Sequence, residues 1–252
     1  MNLDFTCEKF YELCRSIKDN YPTITIADYL YSNNLPGRFV IMRHDIDRKP
    51  ENSLHMARIE KDLGIAATYY FRMNSNVFIP EIIGKIENIG HDVGYHYETL
   101  GKSKGDYKKA MEIFEYELEE FRKICKVKTI CMHGDPLSKY DSRDLWKVYE
   151  FKDFDILGEA YLSIGKDINY FSDTGRSWNS KNNMRDFMLN KKENITVDST
   201  DRMIDLINGN KLNRLYITSH PERWASGKIE WCSNYAKDFV FSTGKKILVT
   251  MR

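Results

Sequence analysis

The sequence predicts an α/β fold built on a parallel sheet, and two observations carry that prediction. Short apolar and aromatic runs alternate with helical segments along most of the chain, at least five times over. Such alternation implies parallel strands joined by right-handed crossovers. The polar residues with the most chemistry to offer then sit at or just beyond the C-terminal ends of these runs: Asp45 and Asp47, His96, His133 and His220. An open doubly wound sheet and a closed barrel both satisfy the pattern, and both gather ligands at that end of the strands.

The elements follow in order. Phe5 to Asn20 reads as an amphipathic helix with Phe10, Leu13, Cys14 and Ile17 on one face. A short helix is expected at Ile26 to Tyr31, then a turn from Asn33 to Gly37. Arg38 to Met42 is a strand. Pro50 opens a helix that reaches Leu63 and is closed by Gly64. Ala66 to Arg72 is a strand, Pro80 to Ile89 a helix, Asp92 to Tyr97 a strand and Asp106 to Lys123 a long helix. Lys128 to Met132 is a strand, and residues 142–150 read as helical. From Phe154 to Ile195 the pattern weakens, with extended pieces at Asp155 to Leu157, Leu162 to Ile164 and Asn169 to Phe171. Thr200 to Asn208 is a helix, Arg214 to Thr218 a strand, and the tail from Lys228 is helical. No repeat or linker divides the chain, so residues 1–252 are read as one domain, with 1–36 as an N-terminal extension.

Composition narrows the partners. Lysine and arginine number 38 against 37 acidic residues, and a net charge of +1 makes no case for nucleic acid or an anionic membrane. No stretch of 18 apolar residues is present to span a membrane. Met1 to Arg15 lacks the basic start and apolar run of a signal peptide. The five cysteines form no C-x-x-C pair, which argues against a thiolate zinc site and suits reduced thiols. A cytoplasmic location is the expectation. The 16 Tyr, 13 Phe and 4 Trp leave aromatic faces to spare for stacking on sugars.

Strand parity sharpens the site. Side chains at i and i+2 share a face, so Asp45 and Asp47 can serve one site, as can His96 and Glu98, whereas His91 faces away from His96. Structural readings stand beside these. Asp45 and Asp47 also suit a capping turn before Pro50, His96 a hydrogen-bonded core position, and His133 a strand end.

The motifs resemble those of the polysaccharide deacetylase superfamily, the NodB-like or carbohydrate esterase family 4-like proteins. Arg43-His44-Asp45-Ile46-Asp47 resembles the first motif, and Gly90-His91-Asp92-Val93-Gly94-Tyr95-His96 the second. Met132-His133-Gly134-Asp135-Pro136 stands in the third position. Asp173-Thr174-Gly175-Arg176-Ser177-Trp178 resembles the fourth motif, and Ile217-Thr218-Ser219-His220-Pro221 the fifth. The order is that of the family and spans roughly residues 40–224. The resemblance implies a distorted (β/α) barrel of the glycoside hydrolase/deacetylase type, with seven strands. It also implies a divalent metal, zinc, held by Asp47 and His96, with Asp45 as general base and His220 as general acid. The sequence departs from the family pattern at Leu100, where a second metal-binding histidine is usual, and Glu98 is the nearest substitute for it. His133 stands near the place of an arginine that supports the base.

The expected activity is removal of N-acetyl groups from a sugar or glycoconjugate. The substrate is expected to be nucleotide- or lipid-linked, in surface-polysaccharide assembly. His133, Asp173, Trp178, Arg223 and Trp224 are the candidate substrate-binding residues, the tryptophans as stacking platforms and Arg223 for a phosphate or carboxylate. The rival reading is a non-catalytic carbohydrate-binding or regulatory pseudoenzyme on the same barrel, and a third is hydrolysis of another amide or of an ester.

Overall fold

The computed structural model describes residues 3–135, 138–178 and 195–238. Helix α1 (Cys7–Asn20) starts where the Thr6 hydroxyl accepts from the Lys9 amide, and α2 (Ile26–Tyr31) starts in a reciprocal Thr25–Asp28 capping box. Between them lies a two-residue strand, β1 (Thr23–Ile24), which the sequence pattern did not predict. The central strand β2 (Phe39–Ile46) is followed by α3 (Pro50–Asp62), β3 (Thr68–Arg72), α4 (Pro80–Asn88) and β4 (Asp92–Tyr97). A single-turn helix α5 (Thr99–Lys102), the long α6 (Tyr107–Arg122), β5 (Thr129–Met132), β6 (Gly158–Glu159) and β7 (Asn169–Ser172) come next. Helix α7 (Thr200–Asn208), β8 (Arg214–Ser219) and helical residues 228–238 complete the described chain. The rest of the helical tail expected from Lys228, residues 239–252, lies outside the described residues, as do Pro136 and residues 179–194.

Seven parallel strands run in the order β6-β5-β4-β3-β2-β8-β7, with β1 paired beside the start of β2. They form a half-barrel with helices outside, a distorted (β/α) barrel. Among the described residues no ladder joins β6 to β7. The segment before β2 is woven into this body: β1 extends the sheet, and Lys9 on α1 reaches Asp201 on α7 at 2.7 Å.

The sheet has two buried faces, and β2 shows how they differ. Val40, Met42 and Ile46 pack outward under the helices in the large apolar core. Phe39 and Ile41 point inward, where Tyr70, Cys131, Tyr161, Ile168 and Tyr216 fill the lower barrel. Continuing up the inward face, parity brings Arg43 and Asp45, and then Asp47 just past the strand end. The barrel interior is therefore an apolar plug with a charged layer above it. The sequence pattern ended this strand at Met42. The structure continues it to Ile46, because Arg43 to Ile46 pair with Thr68 to Phe71 of β3.

Gly94 on β4 is required by this interior. A Cβ there would lie 2.3 Å from the Tyr70 ring and 2.7 Å from the Thr129 carbonyl oxygen. The missing side chain lets Tyr70 lie across β4, with its hydroxyl 2.7 Å from Thr129 Oγ1. Elsewhere the weakly patterned stretch differs in detail from expectation. Residues 142–150 give a 3-10 turn at Ser142–Lys147, β6 falls at Gly158–Glu159 rather than Asp155 to Leu157, and Leu162 to Ile164 is not a strand.

Candidate active site

Three strands deliver one cluster. Asp47 follows β2, His96 lies within β4, and His133 follows β5. Asp47 Oδ1 lies 2.9 Å from His133 Nδ1 and 3.5 Å from His96 Nε2. One ligand-type atom from each residue falls within 4.8 Å of the other two. His96 Nδ1 is 3.0 Å from the Cys131 carbonyl oxygen, which leaves Nε2 as the lone-pair nitrogen facing Asp47. Asp47 Oδ1 is buried yet has no well-aligned hydrogen bond. Burial raises the pKa of Asp47, but His133 and His96 outweigh it and hold the carboxyl well below its ordinary range. A buried carboxylate oxygen facing two imidazole nitrogens without satisfying them is what a cation site requires. One carboxylate and two imidazoles form a donor set that suits zinc.

The third member of this set corrects the sequence reading. Glu98 was expected there on strand parity, but β4 ends at Tyr97 and Glu98 begins the turn into α5 with φ −143° and ψ 28°. Off the strand, the parity rule no longer applies. Glu98 Oε2 accepts from Arg72 Nη2 at 2.8 Å, Oε1 lies 3.7 Å from Lys102 Nζ, and Oε2 is 4.0 Å from His133 Nε2. Glu98 therefore stands behind His133 rather than beside Asp47. His133, expected near the substrate or the base, stands with Asp47 and His96 in the group that could hold an ion. Leu100 is buried in the apolar core.

Asp45 sits one level deeper. Arg43 Nε donates to its Oδ1 at 2.7 Å and Arg43 Nη2 to its Oδ2 at 2.5 Å. Asp45 Oδ2 is 3.8 Å from His96 Nε2, and Oδ1 is 4.0 Å from Cys131 Sγ. Asp45, His96 and Cys131 thus form a second group of metal-capable atoms. A cation there would sit beside the Arg43 guanidinium, so the Asp47 group is the better cation site. Sequence reading assigned Arg43 no role, although its parity with Asp45 was a usable signal.

His220 stands immediately after β8. Its Nδ1 donates to Asp173 Oδ1 at 2.6 Å. Asp173 follows β7, is completely buried, and accepts from Arg223 Nη1 at 2.6 Å, from the His220 amide at 2.9 Å and from Trp224 Nε1 at 3.0 Å. Burial and Arg223 push the His220 imidazole down, but Asp173 together with Asp47 pulls it up, and its pKa is raised to about 9. With Nδ1 held by Asp173, Nε2 is the ring nitrogen left to carry a transferable proton.

The substrate-platform expectation is corrected at the same place. Trp178 and Trp224 are 1% and 0% exposed, with ring centroids 6.2 Å apart, and both pack against Phe5. Trp178 Nε1 donates to Thr200 Oγ1. These indoles are core, since a large apolar ring gains more from burial than from a solvated rim. Asp173, also expected to touch substrate, is wholly buried beside His220, and Arg223, expected there too, donates to it.

Outside the barrel wall, His44 links β2 and β8. Its Nδ1 is 2.7 Å from Ser219 Oγ on β8, and its Nε2 is 2.7 Å from Glu60 on α3. Tyr69 donates to the second oxygen of Glu60. All four residues are buried, so the network is a structural clamp between β2 and β8.

No family model matches the chain, and no curated protein matches it. Among solved structures the chain is similar to a family 4 carbohydrate esterase from Bacillus anthracis, with 13% identity over 79% of this chain and 73% of that one and a TM-score of 0.42. No described helix is long and apolar enough to cross a membrane.

Proposed function

We propose that this protein is a metal-dependent hydrolase that removes N-acetyl groups from a sugar or glycoconjugate. One observation carries the reading. A carboxylate that can accept a proton, a carboxylate–imidazole–imidazole cluster and an aspartate-oriented histidine share the C-terminal end of one barrel. Asp45 and His220 lie on neighbouring strands, where the adjacent residues His44 and Ser219 are paired in register. The five motifs point to the same chemistry.

Asp47, His96 and His133 are the residues that would hold the ion. When bound, a divalent ion supplies Lewis-acid polarisation of the acyl carbonyl and makes a coordinated water more acidic. The rest belongs to the side chains. Asp45 Oδ2, on the His96 side of its carboxylate, takes the proton of the attacking water. As the carbon–nitrogen bond breaks, His220 Nε2 gives its proton to the departing amine, with Asp173 holding the ring in the required tautomer and orientation. The products are acetate and a free amino sugar. His133, grouped with Asp47 and His96, supports this reading over the pseudoenzyme alternative. A nucleotide- or lipid-linked substrate, an intracellular setting and a place in surface-polysaccharide assembly complete the proposal.

The test is acetate release from a panel of N-acetylated sugars, free, nucleotide-linked and polymeric, with zinc present and after chelation. Asp45→Asn and His220→Ala should each cut turnover by at least ~100-fold, the scale of lost acid–base catalysis. Full activity in either variant removes its assigned role. Release only from O-acetyl or other acyl substrates would keep the machinery and replace the substrate.

A further inference from the structure

Asp45 and Asp47 are chemically identical, point the same way and sit two residues apart, yet the proposed reaction needs one as a base and the other as a ligand. Resting on that reading of the site, we propose that Arg43 makes the division: it occupies Asp45 as a fixed counter-cation, reserving it for proton transfer and leaving Asp47 to the metal.

The geometry is specific to this task. Arg43 is wholly buried on the inward face of β2, and its planar fork meets both oxygens of Asp45 through Nε and Nη2. A two-point contact fixes the carboxylate plane as well as its position. Asp45 Oδ1 also faces Cys131 Sγ at 4.0 Å, while Oδ2 keeps a further lone pair on the side of His96 Nε2, 3.8 Å away. The guanidinium is itself immobilised. Its Nη2 donates to Tyr161 Oη at 2.6 Å, its Nη1 to Tyr216 Oη at 3.3 Å, and its carbon lies 4.1 Å from the centre of the Tyr161 ring. The rings of Tyr70 and Tyr216 each stand at 5.9 Å.

Two consequences separate this role from plain structural support. A cation next to Asp45 repels a second cation, so Arg43 keeps the metal on the Asp47 side. Buried ion pairs also give little net stability over apolar residues of similar volume, so stability alone is a poor account of this pair.

The experiment measures zinc affinity by competition with a chromophoric chelator, alongside turnover, in the parent, Arg43→Met, Arg43→Lys, Asp45→Asn and Arg43→Met/Asp45→Asn. With the guanidinium gone, Asp45 becomes free to ligate. Arg43→Met should then bind zinc about tenfold more tightly, a change on the scale of outer-shell effects on metal sites, while turnover falls by ~100-fold. In the Asp45→Asn background the same substitution should leave zinc affinity unchanged within about threefold, because coupled residues are non-additive. Arg43→Lys keeps the charge and loses the fork, so it should hold parental zinc affinity and KM while turnover drops by at least ~10-fold. The double variant leaves no unpaired buried charge and guards against a folding failure of Arg43→Met. Equal or weaker zinc binding in Arg43→Met, or full turnover in Arg43→Lys, overturns the inference while the metal reading stands. If the parent binds no divalent ion, the metal reading falls and the inference falls with it.

Discussion

Replacing Asp173 by asparagine is expected to disable His220 as an acid while leaving Asp47, His96 and His133 in place. The carboxylate takes four donors, two on each oxygen. An asparagine of the same shape keeps one acceptor oxygen and turns an NH₂ group toward two of those donors. Burial and Arg223 push His220 below its ordinary 6.5, and Asp173, with a smaller pull from Asp47, raises it to about 9. Removing that pull moves the pKa down by more than about 2 units, worth about 3 kcal/mol between protonation states. At pH ~7.5 the parent imidazole is almost wholly protonated, whereas in the variant less than about one molecule in ten carries the proton. Turnover near neutral pH should therefore fall at least ~10-fold from protonation alone. A general acid works while protonated, so activity disappears as pH rises through its pKa, and the parent's basic limb, at or below about 9, should shift to below about 6.5 in the variant. A cation at the Asp47 group lowers His220 in both proteins, so the difference between the two profiles is what counts. The same linkage acts on folding. The stabilisation that Asp173 gives to protonated His220 is fully present below pH about 6.5 and lost as pH rises through about 9, so parental stability should decline across that window and the variant's should not. The assays are kcat against pH and thermal unfolding against pH. Coincident basic limbs in parent and variant would refute the reasoning.

Two further outcomes follow from the site. His133→Ala should lower zinc content and weaken affinity by at least ~10-fold, whereas Glu98→Gln should keep the metal with at most a modest loss through His133, measured by elemental analysis after dialysis against limiting zinc; the reverse pattern would restore Glu98 as ligand. Trp178→Ala should cost about 3–5 kcal/mol of stability in denaturant melts, the range for a large buried ring, with KM unchanged for any substrate, while a selective rise in KM at unchanged stability would return Trp178 to the sugar site.

The readable part of this protein was local. Strand–helix alternation, prolines at the starts of α3 and α4 and the parity of Asp45 with Asp47 all act over a few residues, so they survive in the bare sequence. The placing of His96, His133 and His220 at one end of the barrel follows from the same logic, because every parallel strand points the same way. The errors arose where a local rule met a local ending. Glu98 obeyed strand parity on paper, but β4 stops at Tyr97 and the next residue turns away.

What only the tertiary structure decided is which distant residues meet. His133 reaches Asp47 because β5 lies beside β4, and β4 is two strands from β2 in the sheet. Asp173 becomes the anchor of His220 because β7 pairs with β8. Trp178 and Trp224 are buried because Phe5, from the far end of the chain, packs against both. Arg43 is readable as an inward-facing residue from parity alone, but its tyrosine cage comes from β3, β8 and the turn after β6. Periodicity fixes which way a side chain points along its own strand; its partner is set by cross-sheet packing among segments far apart in the chain, and no local pattern carries that information.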